Sequence, residues 1–161
     1  MTSKTDISSF DFFLDTFRLS IMDKFKGKYK RISTENYKEM LQEFDINFLL
    51  IKAATSSSAP VPVIEISEEN GQWTIKTSSA LKSFSRTFKL GEPFNETTAD
   101  GREVTSAILL EDGKLVSVQT AKKPGVKSTR SVREIEGDEM TYTITVEGTN
   151  TVCVQKFVRV Q

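Results

Sequence analysis

Hydrophobic positions change their period along this chain. Between Phe10 and Ile21, the apolar residues Phe10, Phe13, Leu14, Phe17 and Ile21 fall three and four apart, with Asp11, Asp15 and Arg18 on other faces. That spacing predicts an amphipathic helix, and Ser8, with Asp11 three positions on, is its expected cap. The helix is expected to dock on the rest of the protein or to be a partly disordered extension; a membrane surface or a partner is the alternative use of its phenylalanine face. A second helical zone covers 35–55. Tyr37, Met40, Leu41 and Phe44 repeat at helical spacing after Thr34 and Glu35, and Asp45 is expected to cap a short second helix carrying Phe48, Leu49 and Lys52. The serines at 56–58 and Pro60 end this helix-turn-helix.

From residue 61 the period becomes two. Asn70-Gly71 reads as a hairpin turn into the strand beginning at Trp73. Further turn signals follow at Gly91, Asp100-Gly101, Asp112-Gly113, Pro124-Gly125, Gly137-Asp138 and Gly148, close to the spacing of an antiparallel meander. About nine strands result, plus an initial one at 28–32. A long meander with unprotected edges is best closed on itself. The expected fold is therefore all-β: a ten-stranded antiparallel up-and-down β-barrel with a helix-turn-helix inserted after the first strand.

Composition removes most chemistries. Twenty-two basic and twenty-two acidic side chains cancel, which argues against a nucleic-acid binder. Histidine is absent, so the Ser-His-Asp and Cys-His constellations and histidine metal sites are excluded. The single Cys153 forms neither an intramolecular disulfide nor a cysteine zinc cluster. No catalytic residue, metal site or cofactor is expected. A secretory apolar run and a membrane span are both missing from the pattern, so a soluble, reducing, cytoplasmic setting is expected. Lys24, Lys26, Lys28, Lys30 and Arg31 form a basic cluster, read first as a solvated strand face and second as a membrane-attracting or nuclear-import patch.

Gly27-Lys-Tyr29, Asn36-Tyr37 with Met40-Leu41, and the central segment from Phe88 through Gly91-Glu-Pro-Phe-Asn-Glu-Thr-Thr-Ala-Asp100-Gly-Arg102 resemble signatures of the intracellular lipid-binding proteins, the fatty-acid-binding and cellular retinoid-binding proteins. Leu110–Val116, Val132-Arg-Glu134 and Thr151–Gln155 extend the likeness. It divides the chain into an N-terminal extension, 1–25, and a barrel domain, 26–161. Arg31 and Lys38 depart from the signature and are expected on the outer sides of their elements. The resemblance implies a clam-shaped barrel holding one or two long-chain lipids in a water-filled interior. The helix pair is its lid, the chain a monomer, and no reaction is performed.

Alternation along 128–136 puts Ser131, Arg133 and Ile135 on one face, and along the last strand Cys153, Gln155 and Phe157 on one face. In carboxylate-binding members an arginine at the position of Arg133 works with an arginine and a tyrosine whose positions are Gln155 and Phe157 here. The final strand is more similar to the retinol-binding branch, which carries glutamine at the position of Arg133. A guanidinium facing the interior needs a partner, and a ligand carboxylate matches it with two donors, so a long-chain fatty acid is the expected ligand and a retinoid the alternative. The resemblance also places Tyr37, Leu41, Leu81 and Phe84 against the ligand's tail. Asp100 and Arg102 it reads either as a gate near the ligand or as an internal ion pair.

Overall fold

The computed structural model describes the backbone of residues 5–161 and the side chains of residues 9–161. Helix α1, Thr5–Asp23, leads into strand β1, Gly27–Glu35, and the lid helices α2, Tyr37–Glu43, and α3, Phe48–Ala54. Nine strands follow: β2 Val63–Glu69, β3 Gln72–Ser78, β4 Ser83–Phe88, β5 Phe94–Thr97, β6 Glu103–Glu111, β7 Lys114–Ala121, β8 Thr129–Glu136, β9 Glu139–Val146 and β10 Val152–Val160. All pairings are antiparallel, in the order β4-β3-β2-β1-β10-β9-β8-β7-β6-β5. The expected ten-stranded meander with a helical insertion after its first strand is this fold.

Turn chemistry explains the register. Asn70 and Gly71, and likewise Asp112 and Gly113, all have positive φ, the backbone that matches a two-residue hairpin to the right-handed twist of its strands. The β3–β4 turn has no glycine. Instead Ser79 closes it: its hydroxyl accepts the amide of Lys82 and its own amide donates to the Lys82 carbonyl.

β4 and β5 end the strand order and share no ladder, so side chains close the barrel there. Phe88 and Phe94 stack with ring centroids 6.2 Å apart. Arg86 Nη1 meets Glu96 Oε1 at 3.3 Å. Lys82 Nζ donates to the Ala99 carbonyl at 3.3 Å.

Two apolar clusters fill the ends of the fold. One joins Met22, Phe25, Tyr29, Trp73, Ile75, Phe88, Ile108, Leu115, Met140 and Phe157 at the end where α1 meets the barrel. The other places Met40, Leu41 and Ile51 of the lid over Ile144, Val146 and Cys153.

The N-terminal helix differs from expectation. Its start at Thr5 puts Ser8 inside the helix, and the Ser8 side chain lies outside the described residues. Residues 9–20 are exposed throughout, Phe12 at 75% and Phe13 at 66%. The helix's phenylalanines are therefore not packed against the barrel. Only its end is tied in. Met22 and Phe25 are completely buried, so the extension joins the core near residue 22, inside the expected 1–25 segment. Arg159 donates to the carbonyls of Lys26 (2.6 Å) and Lys24 (3.0 Å), and the Tyr29 hydroxyl donates to that of Phe25 (3.0 Å). These bonds satisfy backbone carbonyls of the turn between α1 and β1.

The second lid helix is capped by Asn47, whose side chain accepts the Leu49 amide at 2.8 Å. Asp45 was the expected cap, but its φ of 54° places it in the left-handed turn between the helices. A cap needs extended backbone, and Asn47 has it.

Phe25→Ala should destabilise the protein by about 3–5 kcal/mol, as emptying a buried aromatic site does. Phe13→Ala should change stability by less than about 0.5 kcal/mol, as expected for a surface position. Urea denaturation of the two variants measures the contrast.

Candidate functional site

Beneath the lid lies a cavity of about 590 Å³, bounded by α2, α3, the β3–β4 turn and the inner faces of the barrel strands. This volume is in the range of about 300–1,000 Å³ usual for small-molecule sites. Its rim is apolar: Tyr37, Leu41 and Phe44 from the lid region, and Leu81 and Phe84 from β3–β4. Leu41 is buried, whereas Leu81 is 84% exposed and stands at the mouth. Six of the nine expected site residues therefore share this wall: Tyr37, Leu41, Leu81, Phe84, Asp100 and Arg102.

Arg133, Gln155 and Phe157 are buried but are not part of that wall. Alternation turns each of them inward, as expected. Phe157 packs into the apolar cluster around Tyr29 and Trp73. Gln155 has its amide nitrogen 3.9 Å from the Cys153 sulfur. Arg133 is 2% exposed, and its guanidinium lies 3.8 Å over the ring of Tyr142, which does line the cavity. Burial pushes the Arg133 guanidinium below its ordinary value, with Tyr142 partly opposing that shift. Its Nε and Nη1 are buried and have no hydrogen-bond acceptor.

Asp100 and Arg102 form an internal ion pair. Arg102 Nε donates to Asp100 Oδ2 at 2.5 Å, Nη1 to the Lys127 carbonyl at 2.8 Å and Nη2 to Gln119 Oε1 at 3.2 Å. The same guanidinium sits 4.0 Å from the centre of the Phe44 ring, which fastens the lid to the barrel. Its donors are occupied at both ends, so the geometry favours the ion-pair reading of these two residues over a gate.

The structure adds four polar groups that the sequence reading did not place at the site. Arg86 on β4 and Glu96 on β5 form the pair across the strand gap, and Glu96 Oε1 also accepts from the Ser106 hydroxyl (2.5 Å) and Gln119 Nε2 (3.1 Å). Glu96 Oε2 and Arg86 Nε are buried without partners. Tyr142 on β9 is directly across from Arg133 in the β8–β9 ladder. Burial alone would raise its phenol, but the guanidiniums of Arg133 and Arg86 outweigh burial and hold it below its ordinary value. Arg31 is the fourth. Expected on the outer side of its strand, it lies on the cavity wall with its guanidinium 5.3 Å from the centre of the Tyr37 ring. The inward parity it shares with Tyr29 and the Tyr37 face above it account for the turn inward.

The described residues hold no cluster of groups able to bind a metal ion, and no described helix is long and apolar enough to cross a membrane.

Cys153 lies fully buried under the lid, and burial pushes its thiol above the ordinary value. Less thiolate is therefore present at any given pH. Maleimide labelling of the native protein at pH 8 should be much slower than labelling of the urea-unfolded chain. Equal rates would mean that the lid does not cover the thiol.

A family model described as the lipocalin / cytosolic fatty-acid binding protein family matches residues 26–161. A fatty acid-binding protein of Tyrophagus putrescentiae is 39% identical over 132 residues, covering 81% of this chain and 95% of its own. Cellular retinoic acid-binding protein 2 of Mus musculus is 36% identical over 140 residues, covering 86% and 99%. The solved structure of a fatty acid binding protein of Schistosoma mansoni in complex with arachidonic acid superposes with a TM-score of 0.77 at 28% identity, covering 87% of this chain and 98% of that one.

Proposed function

Because the chain belongs to the lipocalin / cytosolic fatty-acid binding protein family, we propose that it is a non-catalytic cytoplasmic carrier. It takes up a long-chain fatty acid as a monomer and delivers it. The observation that carries this reading is Arg133, a buried guanidinium with two unpartnered nitrogens and no carboxylate partner among the described residues. Removing such a charge from water costs several kcal/mol unless an anion answers it. A fatty-acid head group is planar, anionic and fits two of its donors. A neutral alcohol has no charge to offer. Relatives whose names specify fatty acid and retinoic acid are consistent with an acidic ligand.

The tail supplies most of the affinity, at about 0.8 kcal/mol per buried methylene before ordering costs. The head group adds about 1.5–3 kcal/mol, the usual range for a hydrogen bond to a charged group. Arg133 thus sets which head group is accepted. Arg133→Gln should lower oleate affinity about tenfold or more and improve retinol relative to oleate. Titration of the delipidated protein with each ligand checks this, and equal oleate affinity in parent and variant would refute the role of Arg133. Native mass spectrometry of the freshly purified protein should show about one fatty acid per chain.

A second reading rests on α1. Phe10, Phe12, Phe13 and Phe17 are exposed together, and Lys24, Lys28 and Lys30 are exposed nearby. This combination suits transient contact with an anionic membrane surface. Replacing Phe12, Phe13 and Phe17 together by serine should abolish sedimentation with phosphatidylserine vesicles and leave oleate binding intact. Unchanged sedimentation would dismiss the contact.

A further inference from the structure

The interior holds more positive than negative charge. Glu96 answers Arg86 at 3.3 Å and Asp100 answers Arg102 at 2.5 Å, which leaves Arg133 without a carboxylate among the described residues. The two ion pairs are not equivalent. Arg102 uses Nε, Nη1 and Nη2 on protein acceptors and is fixed between β6 and the lid. Among the described residues Arg86 pairs through Nη1, and its buried Nε finds no acceptor. Arg86 and Tyr142 both line the cavity, and Tyr142 is stacked against Arg133. Arg86 and Tyr142 therefore reach the cavity from β4 and β9, and Arg133 on β8 lies behind the Tyr142 ring; both arginines keep unused buried donors.

We propose that Arg86 and Tyr142 complete the head-group site with Arg133, so that a ligand carboxylate is held between two guanidiniums, and that Glu96 is an internal carboxylate competing with the ligand for Arg86. The inference rests on the carrier reading above and names the residues that make its site selective for acids. The final strand supplies neither a second arginine nor a tyrosine there, since Gln155 and Phe157 occupy those places. The same two chemical functions come from β4 and β9 instead. Two cationic donors on one carboxylate suit its charge and planar geometry. The Tyr142 hydroxyl adds a neutral donor. Glu96 has the opposite effect: its Oε1 already occupies Arg86, and its unpartnered Oε2 adds negative charge in the same interior.

The test compares oleate with oleyl alcohol, which has the same chain and a neutral head, by calorimetric titration of the delipidated full-length protein. Arg86→Met should weaken oleate at least about tenfold, the scale of one lost charge-assisted hydrogen bond, and leave oleyl alcohol nearly unchanged. Glu96→Gln should move oleate the other way. Glutamine has nearly the same size and still accepts from Ser106, while the competing charge is gone, so oleate affinity should rise several-fold with no gain for the alcohol. This second variant carries the test if loss of Arg86 weakens folding at the strand gap. Equal loss of oleate and alcohol affinity in Arg86→Met, or oleate affinity unchanged by Glu96→Gln, would overturn the inference and leave Arg86 as a clasp between β4 and β5. If Arg133→Gln still lowers oleate affinity in that case, the carrier reading stands. Failure of the parent protein to bind oleate at all would remove that reading and this inference with it.

Discussion

A guanidinium sealed inside a protein and left without an anion is an unstable arrangement, and Arg133 is in that position. Its burial opposes its charge, with Tyr142 opposing that shift only in part, the Tyr142 ring lies 3.8 Å from its guanidinium, and two of its nitrogens have no acceptor among the described residues. A barrel filled with apolar side chains would never hold such a residue. This barrel does, because its middle is a cavity lined by Arg86, Gln119, Thr129 and Tyr142 as well as by hydrophobic groups. The apolar clusters are confined to the two ends. Stability thus comes from the ends, and binding chemistry from the polar middle.

The missing ladder between β4 and β5 is the second feature on which the site depends. Closing the barrel there with side chains pairs Arg86, on the cavity wall, with Glu96 across the strand gap. One ion pair thereby joins a mechanical role to an electrostatic one. Arg102 does the equivalent at the lid, where its contact with Phe44 ties the turn after α2 to the barrel. The apolar rim from Tyr37 to Phe84 remains available to a hydrocarbon tail, so tail and head are recognised by different parts of one cavity.

Much of this was legible in the sequence. The Asn70-Gly71 and Asp112-Gly113 turns announced their hairpins because positive φ at both residues is what such turns require. Period-two alternation placed Ser131 with Arg133 and Cys153 with Gln155 correctly inward. Arg86 carried the same signal: it alternates in phase with Phe84 and Phe88. That signal alone does not single Arg86 out, because arginines are mostly exposed. Arg31 was assigned outward by periodicity, although it shares the parity of buried Tyr29. Other features depend on tertiary structure. Nothing local distinguishes Asp45 from Asn47 as a cap until the backbone between the helices is known. An amphipathic stripe on α1 does not reveal whether a groove exists to receive it.

The central claim is that the interior binds an acid in its ionised form. The most direct measurement is the pH titration of oleate labelled with carbon-13 at its carboxyl, bound to the protein and followed by nuclear magnetic resonance. Held by guanidiniums, the carboxylate should remain ionised well below the ordinary carboxyl range of about 4, its signal unchanged until the fold itself is lost. A bound carboxyl that titrates at or above that range would show that no cationic group holds it, and would contradict the account.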